Sequence, residues 1–208
     1  MIHVVMPFSR KQNLPFYLDA FSRQTGVVWH PVATEDLALP QEPWVRPLLV
    51  GDTGYGDVCY GKIQAFIDRA EIVDSDTYCV LCDDDWYEAG FFDKIRRFSF
   101  DLVVASMARG QRIPSAASPH DITTLWAGDM KPCHVGVEQL FFKGRIFRRL
   151  RYPDTGTADG LIAQHVAAVI PFLCVRSAFV LFNYLEPGRW DLDDHTRSLL
   201  QAPAGAAA

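Results

Sequence analysis

Between Ile2 and Ser106, short β-branched apolar runs alternate with segments whose apolar residues recur at helical spacing, which restricts the fold to a mostly parallel sheet covered by helices. Ile2 to Met6 is the first run, ended by Pro7, and suits a central strand. Asn13 is placed to cap a helix in which Leu14, Tyr17, Leu18 and Phe21 share one face, and Gly26 ends it. Val27 to Val32 and Leu48 to Val50 read as strands, separated by a proline-containing loop from Ala33 to Pro47. Asp57 is a candidate cap for a helix carrying Ile63, Phe66, Ile67 and Ala70 on one side. Tyr78 to Cys82 is the next strand, followed by a helix through Phe92, Ile95 and Phe98 and a strand at Leu102 to Ser106.

The second half is less regular. Val135 to Phe142 and Phe179 to Phe182 read as strands, and Ala158 to Val169 as a helix with Leu161, Ile162, His165, Val166 and Val169 on one side. A chain of 208 residues, 49% hydrophobic, suffices for one substantial core, so residues 1–200 are expected to form a single α/β domain and residues 201–208 a disordered tail. The 20 basic and 25 acidic residues give a net charge of -5, which argues against a nucleic-acid backbone as partner but permits a small phosphorylated ligand. No basic leader precedes the first apolar run and no apolar stretch reaches membrane-spanning length, so a cytoplasmic location is expected. Five scattered cysteines offer neither a disulfide framework nor a zinc cluster; Cys79 and Cys82 read as buried free thiols facing opposite ways.

Asp83, Asp84 and Asp85 at the carboxyl end of a buried strand carry the chemistry. Three adjacent carboxylates repel one another and raise each other's proton affinity unless a cation or hydrogen bonds compensate. In an Asp-x-Asp pattern on extended chain, Asp83 and Asp85 point the same way and can address one hard divalent ion, with Asp84 turned elsewhere. The competing reading is a solvated turn in which Asp84 or Asp85 caps the following helix. Glu138, an acid inside an apolar run, either faces a functional pocket or is carried to solvent by strand alternation.

The first strand with Pro7 and Ser9, the helix Lys62 to Arg69, and the strand leading to Asp83, Asp84 and Asp85 together resemble the GT-A glycosyltransferases, particularly the family 2 type. The likeness covers the first half well and the second half in outline. It implies a Rossmann-like single domain with a mixed, mostly parallel sheet. The activity implied is sugar transfer from a nucleotide-sugar donor, a UDP-sugar first, to a hydroxyl acceptor, with Mn²⁺ or Mg²⁺ on the Asp-x-Asp. By position, Pro7, Phe8, Ser9 and Arg10 would line the nucleotide pocket, with Asp84 alongside. Asp52 stands where such enzymes place an acid against the base, or is an ordinary turn residue; Lys62 reaches a phosphate or the base, or is solvated. Asp159 matches the catalytic base of an inverting transferase, although Ala158 replaces the glutamate that the family carries before it; its other reading is a favourable acid in a first helical turn. Glu138 is the rival base. His195 would complete a metal shell with Asp83 and Asp85, or lie exposed after a cap made by Asp193 or Asp194.

Two alternatives stay open: a sugar nucleotidyltransferase, whose Gly-rich basic loop after the first strand is missing here, and an inactive nucleotide-sugar-binding module. A haloacid-dehalogenase-type phosphatase would need a nucleophilic aspartate where Pro7 stands.

Overall fold

The strands form one twisted sheet in a computed structural model that describes residues 1–51, 59–109, 124–125, 127–128, 130, 134–153, 158–187, 190 and 192–201. In chain order the strands are β1 (Ile2–Pro7), β2 (Val27–Ala33), β3 (Leu48–Leu49), β4 (Thr77–Val80), β5 (Trp86–Tyr87), β6 (Leu102–Ala108), β7 (Thr124–Leu125), β8 (Leu140–Lys143) and β9 (Phe172–Leu181). The helices are α1 (Leu14–Ser22), α2 (Cys59–Arg69), α3 (Phe91–Ile95), α4 (Gly144–Phe147), α5 (Ala158–Val169) and α6 (Asp194–Gln201).

The sheet runs β3-β2-β1-β4-β8-β6-β9-β5, with β7 added on β6. Parallel pairs join β3, β2, β1 and β4, and another joins β6 to β9; β8 is antiparallel to both β4 and β6. Hence β3, β2, β1, β4, β6 and β9 all point one way, and the α/β fold is mixed and mostly parallel, as the alternation predicts.

Period two along each strand feeds two cores. Ile2, Val4 and Met6 of β1 join Cys79 and Val103 under α1 and α3, where Tyr17, Phe21, Trp29, Phe91 and Phe92 pack. Val5, Tyr78, Val80, Leu102 and Val104 face the other side, against Ile63 and Phe66 of α2 and Ile162 and Val166 of α5. Such burial, at about 25 cal/mol per Å² of apolar surface, is what holds helices this short to the sheet.

Several boundaries differ from expectation. The run Val135 to Phe142 is not one strand: Val137–Gln139 is a 3-10 turn, and pairing begins at Leu140. The cause is Gln139, whose side chain accepts from the Gly136 N–H and donates to the Ala105 carbonyl, tying the turn to β6. The strand expected at Phe179 starts at Phe172, because the break at Arg176 and Ser177 is absorbed by a bulge between the pairs Ala105↔Val175 and Ser106↔Phe179. Helix α3 stops at Ile95 and leaves Phe98 exposed. Asn13 precedes α1 but makes no side-chain cap. Residues 202–208, Asp52 and Asp57 lie outside the described residues.

Candidate active site

Strand direction gathers the chemistry at one edge, since β1, β4, β6 and β9 all end there and the antiparallel β8 begins there. The segments delivered are Phe8 to Arg10, Asp83 to Asp85, Arg109, Glu138 and Phe182 to Asn183. Ligand sites of open α/β sheets lie beyond such carboxyl ends.

The acidic turn is bolted down by α1. Asn13 Nδ2 donates to the Asp83 carbonyl at 2.7 Å and Tyr17 Oη to the Asp85 carbonyl at 2.7 Å. The three carboxylates then take different surroundings. Asp83 is buried, and its Oδ2 accepts from Ser9 N at 2.6 Å, Ser9 Oγ at 2.9 Å and Arg10 N at 2.7 Å, while the Arg10 guanidinium holds Oδ1. Asp84 pairs with Arg10 Nη2 at 3.2 Å; burial raises its proton affinity and the Arg10 charge opposes that. Asp85 is fully buried: Oδ1 accepts from Asn183 N at 2.6 Å, and Oδ2 has no hydrogen-bond partner among the described residues.

Glu138 comes to Asp85, brought there by the 3-10 turn. Its Oε1 accepts from Cys82 Sγ at 2.9 Å, and a Cβ on Gly136 would collide with its Oε2, so glycine keeps room for the carboxylate. Ligand atoms of Cys82, Asp85 and Glu138 all lie within 4.8 Å of one another. Burial pushes the Asp85 carboxyl well up, reinforced by the charges of Glu138 and Asp84. Burial raises Glu138 too, against the thiol hydrogen bond. Two buried acids this close cannot both ionise without a compensating charge. The orphaned Asp85 oxygen and the two carboxylates fit a divalent cation, so this cluster can hold a metal ion; the neighbouring thiol suits Mn²⁺ better than Mg²⁺.

Among the sequence-predicted residues, Pro7, Ser9, Arg10, Lys62, Asp83 and Asp84 share the lining of one cavity of about 520 Å³, with Cys59, Cys82, Phe182 and Asn183. Lys62 donates to the Phe8 carbonyl at 2.9 Å. Phe8 itself does not line the cavity as expected: alternation along the chain turns its ring into the core against Tyr17 and Trp29. The expected pairing of Asp83 with Asp85 is also replaced, since Asp83 faces Ser9 and Arg10 while Glu138 and Cys82 accompany Asp85. His195 lies on exposed α6 beside Asp19, at 3.3 Å, and Asp193 caps that helix by accepting from Thr196 N. Asp159 sits in the first turn of α5, half-buried, accepting from Gly160 N at 2.7 Å; burial raises its proton affinity, that bond opposes it, and Arg109 lowers it further. Asp159 also lies within electrostatic reach of Glu138.

The sequence does not mark Cys82, Arg109 or Asn183 as site residues. The signal was present for the last two, because each stands one or two residues beyond an apolar strand whose carboxyl end faces the site. The two thiols do part as expected, Cys79 toward the His3 carbonyl and Tyr87 and Cys82 toward Glu138.

No protein-family model matches this chain, and no curated protein matches it. Among solved structures it is similar to a 4-diphosphocytidyl-2C-methyl-D-erythritol synthase, with a TM-score of 0.51 and 11% sequence identity over 95% of each chain. At that identity the likeness bears on the fold, which is Rossmann-like along nearly its whole length. No helix among the described residues is long and apolar enough to cross a membrane.

Proposed function

We propose that the protein is a transferase acting on a nucleotide-activated substrate, and that the group it moves is a sugar, passed from a nucleoside diphosphate to an acceptor hydroxyl. The observation that carries this reading is the half-buried acid Asp159, its proton affinity raised by burial, within electrostatic reach of Glu138, which belongs to the cluster with Cys82 and Asp85. The nucleotide would enter the cavity between Pro7 to Arg10 and the acidic turn, where the Arg10 guanidinium and the Lys62 ammonium bring positive charge and N–H donors beyond those given to Asp83, Asp84 and the Phe8 carbonyl. Asp85 and Glu138 would hold the divalent cation, which neutralises diphosphate charge when bound. Asp159 then takes the proton of the acceptor hydroxyl as that oxygen bonds to the anomeric carbon, and the bond from that carbon to the diphosphate breaks with its electron pair leaving on the diphosphate. A base whose proton affinity is raised toward the working pH performs this better than an ordinary surface aspartate.

A second reading, nucleotidyl transfer to a phosphate-bearing polyol, is favoured by the full-length likeness to a diphosphocytidyl synthase. An ionised phosphate acceptor has no proton to give up, so that reaction leaves Asp159 without a role. Incubation with Mn²⁺ and UDP-, GDP- or dTDP-sugars, in parallel with CTP and polyol phosphates, separates the two. Release of nucleoside diphosphate is expected; release of pyrophosphate instead would establish the second reading, and nucleotide binding without either product an inactive binding module. Asp159→Asn should lower turnover by about two to four powers of ten while leaving nucleotide and Mn²⁺ affinity nearly intact. Unchanged turnover would remove Asp159 from the mechanism and make Glu138 the base to examine.

A further inference from the structure

Arg109 follows the last residue of β6 and therefore stands at the site edge, between the start of α5 and the end of β9. Among the described residues every other arginine is exposed to solvent, whereas Arg109 is partly enclosed. Its guanidinium carbon lies over the Phe182 ring, 5.2 Å from the centroid, and that ring lines the cavity of Ser9, Arg10 and Lys62. Its Nε is buried and has no hydrogen-bond partner among the described residues. Elsewhere arginines form ion pairs, among them Arg10 with Asp83 and Asp84, Arg23 with Asp19, Arg145 with Asp101 and Arg148 with Asp74. Arg109 makes no such pair with Asp159, although the two charges feel each other. A buried cationic donor left unpaired is costly, and a planar fork pinned on an aromatic face is suited to receive a planar or tetrahedral oxyanion.

We propose that Arg109 is the docking group for an oxyanion, a phosphate or a carboxylate, carried by the acceptor, so that the acceptor is an acidic sugar or a phosphorylated polyol. Assignment of the anion to the acceptor rests on the sugar-transfer reading, because Asp159 is the group that would receive the acceptor proton. Anion binding at Arg109 does not depend on it. Docking there would bring the acceptor to Asp159 and to the edge of the cavity that Arg10 and Lys62 line with Phe182.

The test is a titration of the full chain with inorganic phosphate, and separately with glucuronate, without nucleotide or metal, followed by melting temperature. Saturable stabilisation by at least one of them is expected, and the stronger of the two names the anion. Arg109→Ala should weaken that affinity by about tenfold or more, since charge-assisted hydrogen bonds are lost, and Arg109→Lys should fall between, keeping the charge without the fork. If Arg109→Ala does not fold, Arg109→Lys decides alone. UDP affinity with Mn²⁺ should be the same in every chain. Equal phosphate and glucuronate affinity in the native chain and both variants, or no stabilisation by either anion, would overturn the proposal, as would UDP affinity falling in step with anion affinity. Arg109-dependent anion binding in a chain that binds no nucleotide would uphold the docking site and discard the transferase reading.

Discussion

Asp83 and Asp85 stand two residues apart in one turn and both are buried, yet their surroundings are opposite. Asp83 accepts from the backbone and hydroxyl of Ser9 and from the backbone and guanidinium of Arg10. Asp85 accepts one backbone N–H, keeps an oxygen unpartnered among the described residues, and shares its surroundings with Glu138 and Cys82. The lesson is one of saturation. A carboxylate enclosed by donors has its charge balanced within the fold and serves as a clamp between β1 and β4; one left short of donors beside a second acid retains affinity for a cation or a proton.

The largest effect that would break this contrast is on cation binding. Asp85→Asn should lower Mn²⁺ affinity by about 100-fold or more, as expected for loss of a ligand carboxylate, while leaving the metal-free melting temperature unchanged or higher because a buried like-charge contact is gone. Calorimetric titration with Mn²⁺ checks this; undiminished affinity, together with a loss in Asp83→Asn, would reverse the assignment of the two residues.

Asp83→Asn should act on stability instead. Replacing a charged acceptor of several N–H and O–H donors by an amide should cost about 2 kcal/mol in a urea unfolding experiment, with Mn²⁺ affinity retained in the folded chain. A silent substitution would show that Ser9 and Arg10 hold the β1 end without Asp83.

The smallest effect concerns pH. Proton affinities of Asp85 and Glu138 are raised by burial above the ordinary 3.8 and 4.5. Their contribution to stability is therefore fully present below those ordinary values and is lost as pH rises through the higher folded-state ones. In EDTA the melting temperature of the native chain relative to that of Asp85→Asn should fall by a few degrees between about pH 5 and about pH 7.5, and Mn²⁺, competing with the protons, should stabilise the native chain more at the higher pH. At the opposite end of the sheet, His30 is lowered to about 3 by burial and the nearby His3, and His3 is lowered by burial too, so their contribution runs the other way below the ordinary 6.5. Both chains carry that histidine contribution, so it cancels in the difference between them; a difference that stays constant with pH would show that Asp85 does not titrate in this range.

Much of the first half was legible because its signals are local. The periods of β1, β2, α1, α2 and β4 stand in the sequence nearly where the structure has them, and Asp83 to Asp85 were recognisable at a strand end without knowledge of any partner. The second half hid its elements behind tertiary contacts. Gln139 looks like one more residue of an apolar strand until its side chain meets the Ala105 carbonyl, and β9 looks broken until a bulge matches it to β6.

What the sequence by itself determined is the alternating architecture and the placing of acids at the carboxyl edge, since hydrophobic period and strand direction follow from neighbours within a few residues. The tertiary structure alone decided which acid is spent and which is free. Asp83 is saturated by Ser9, 74 positions away in the chain, while Asp85 meets Asn183 from 98 positions away and Cys82 meets Glu138 from 56. Burial and donor count are set by those distant groups, and a carboxylate's affinity for a cation depends on both.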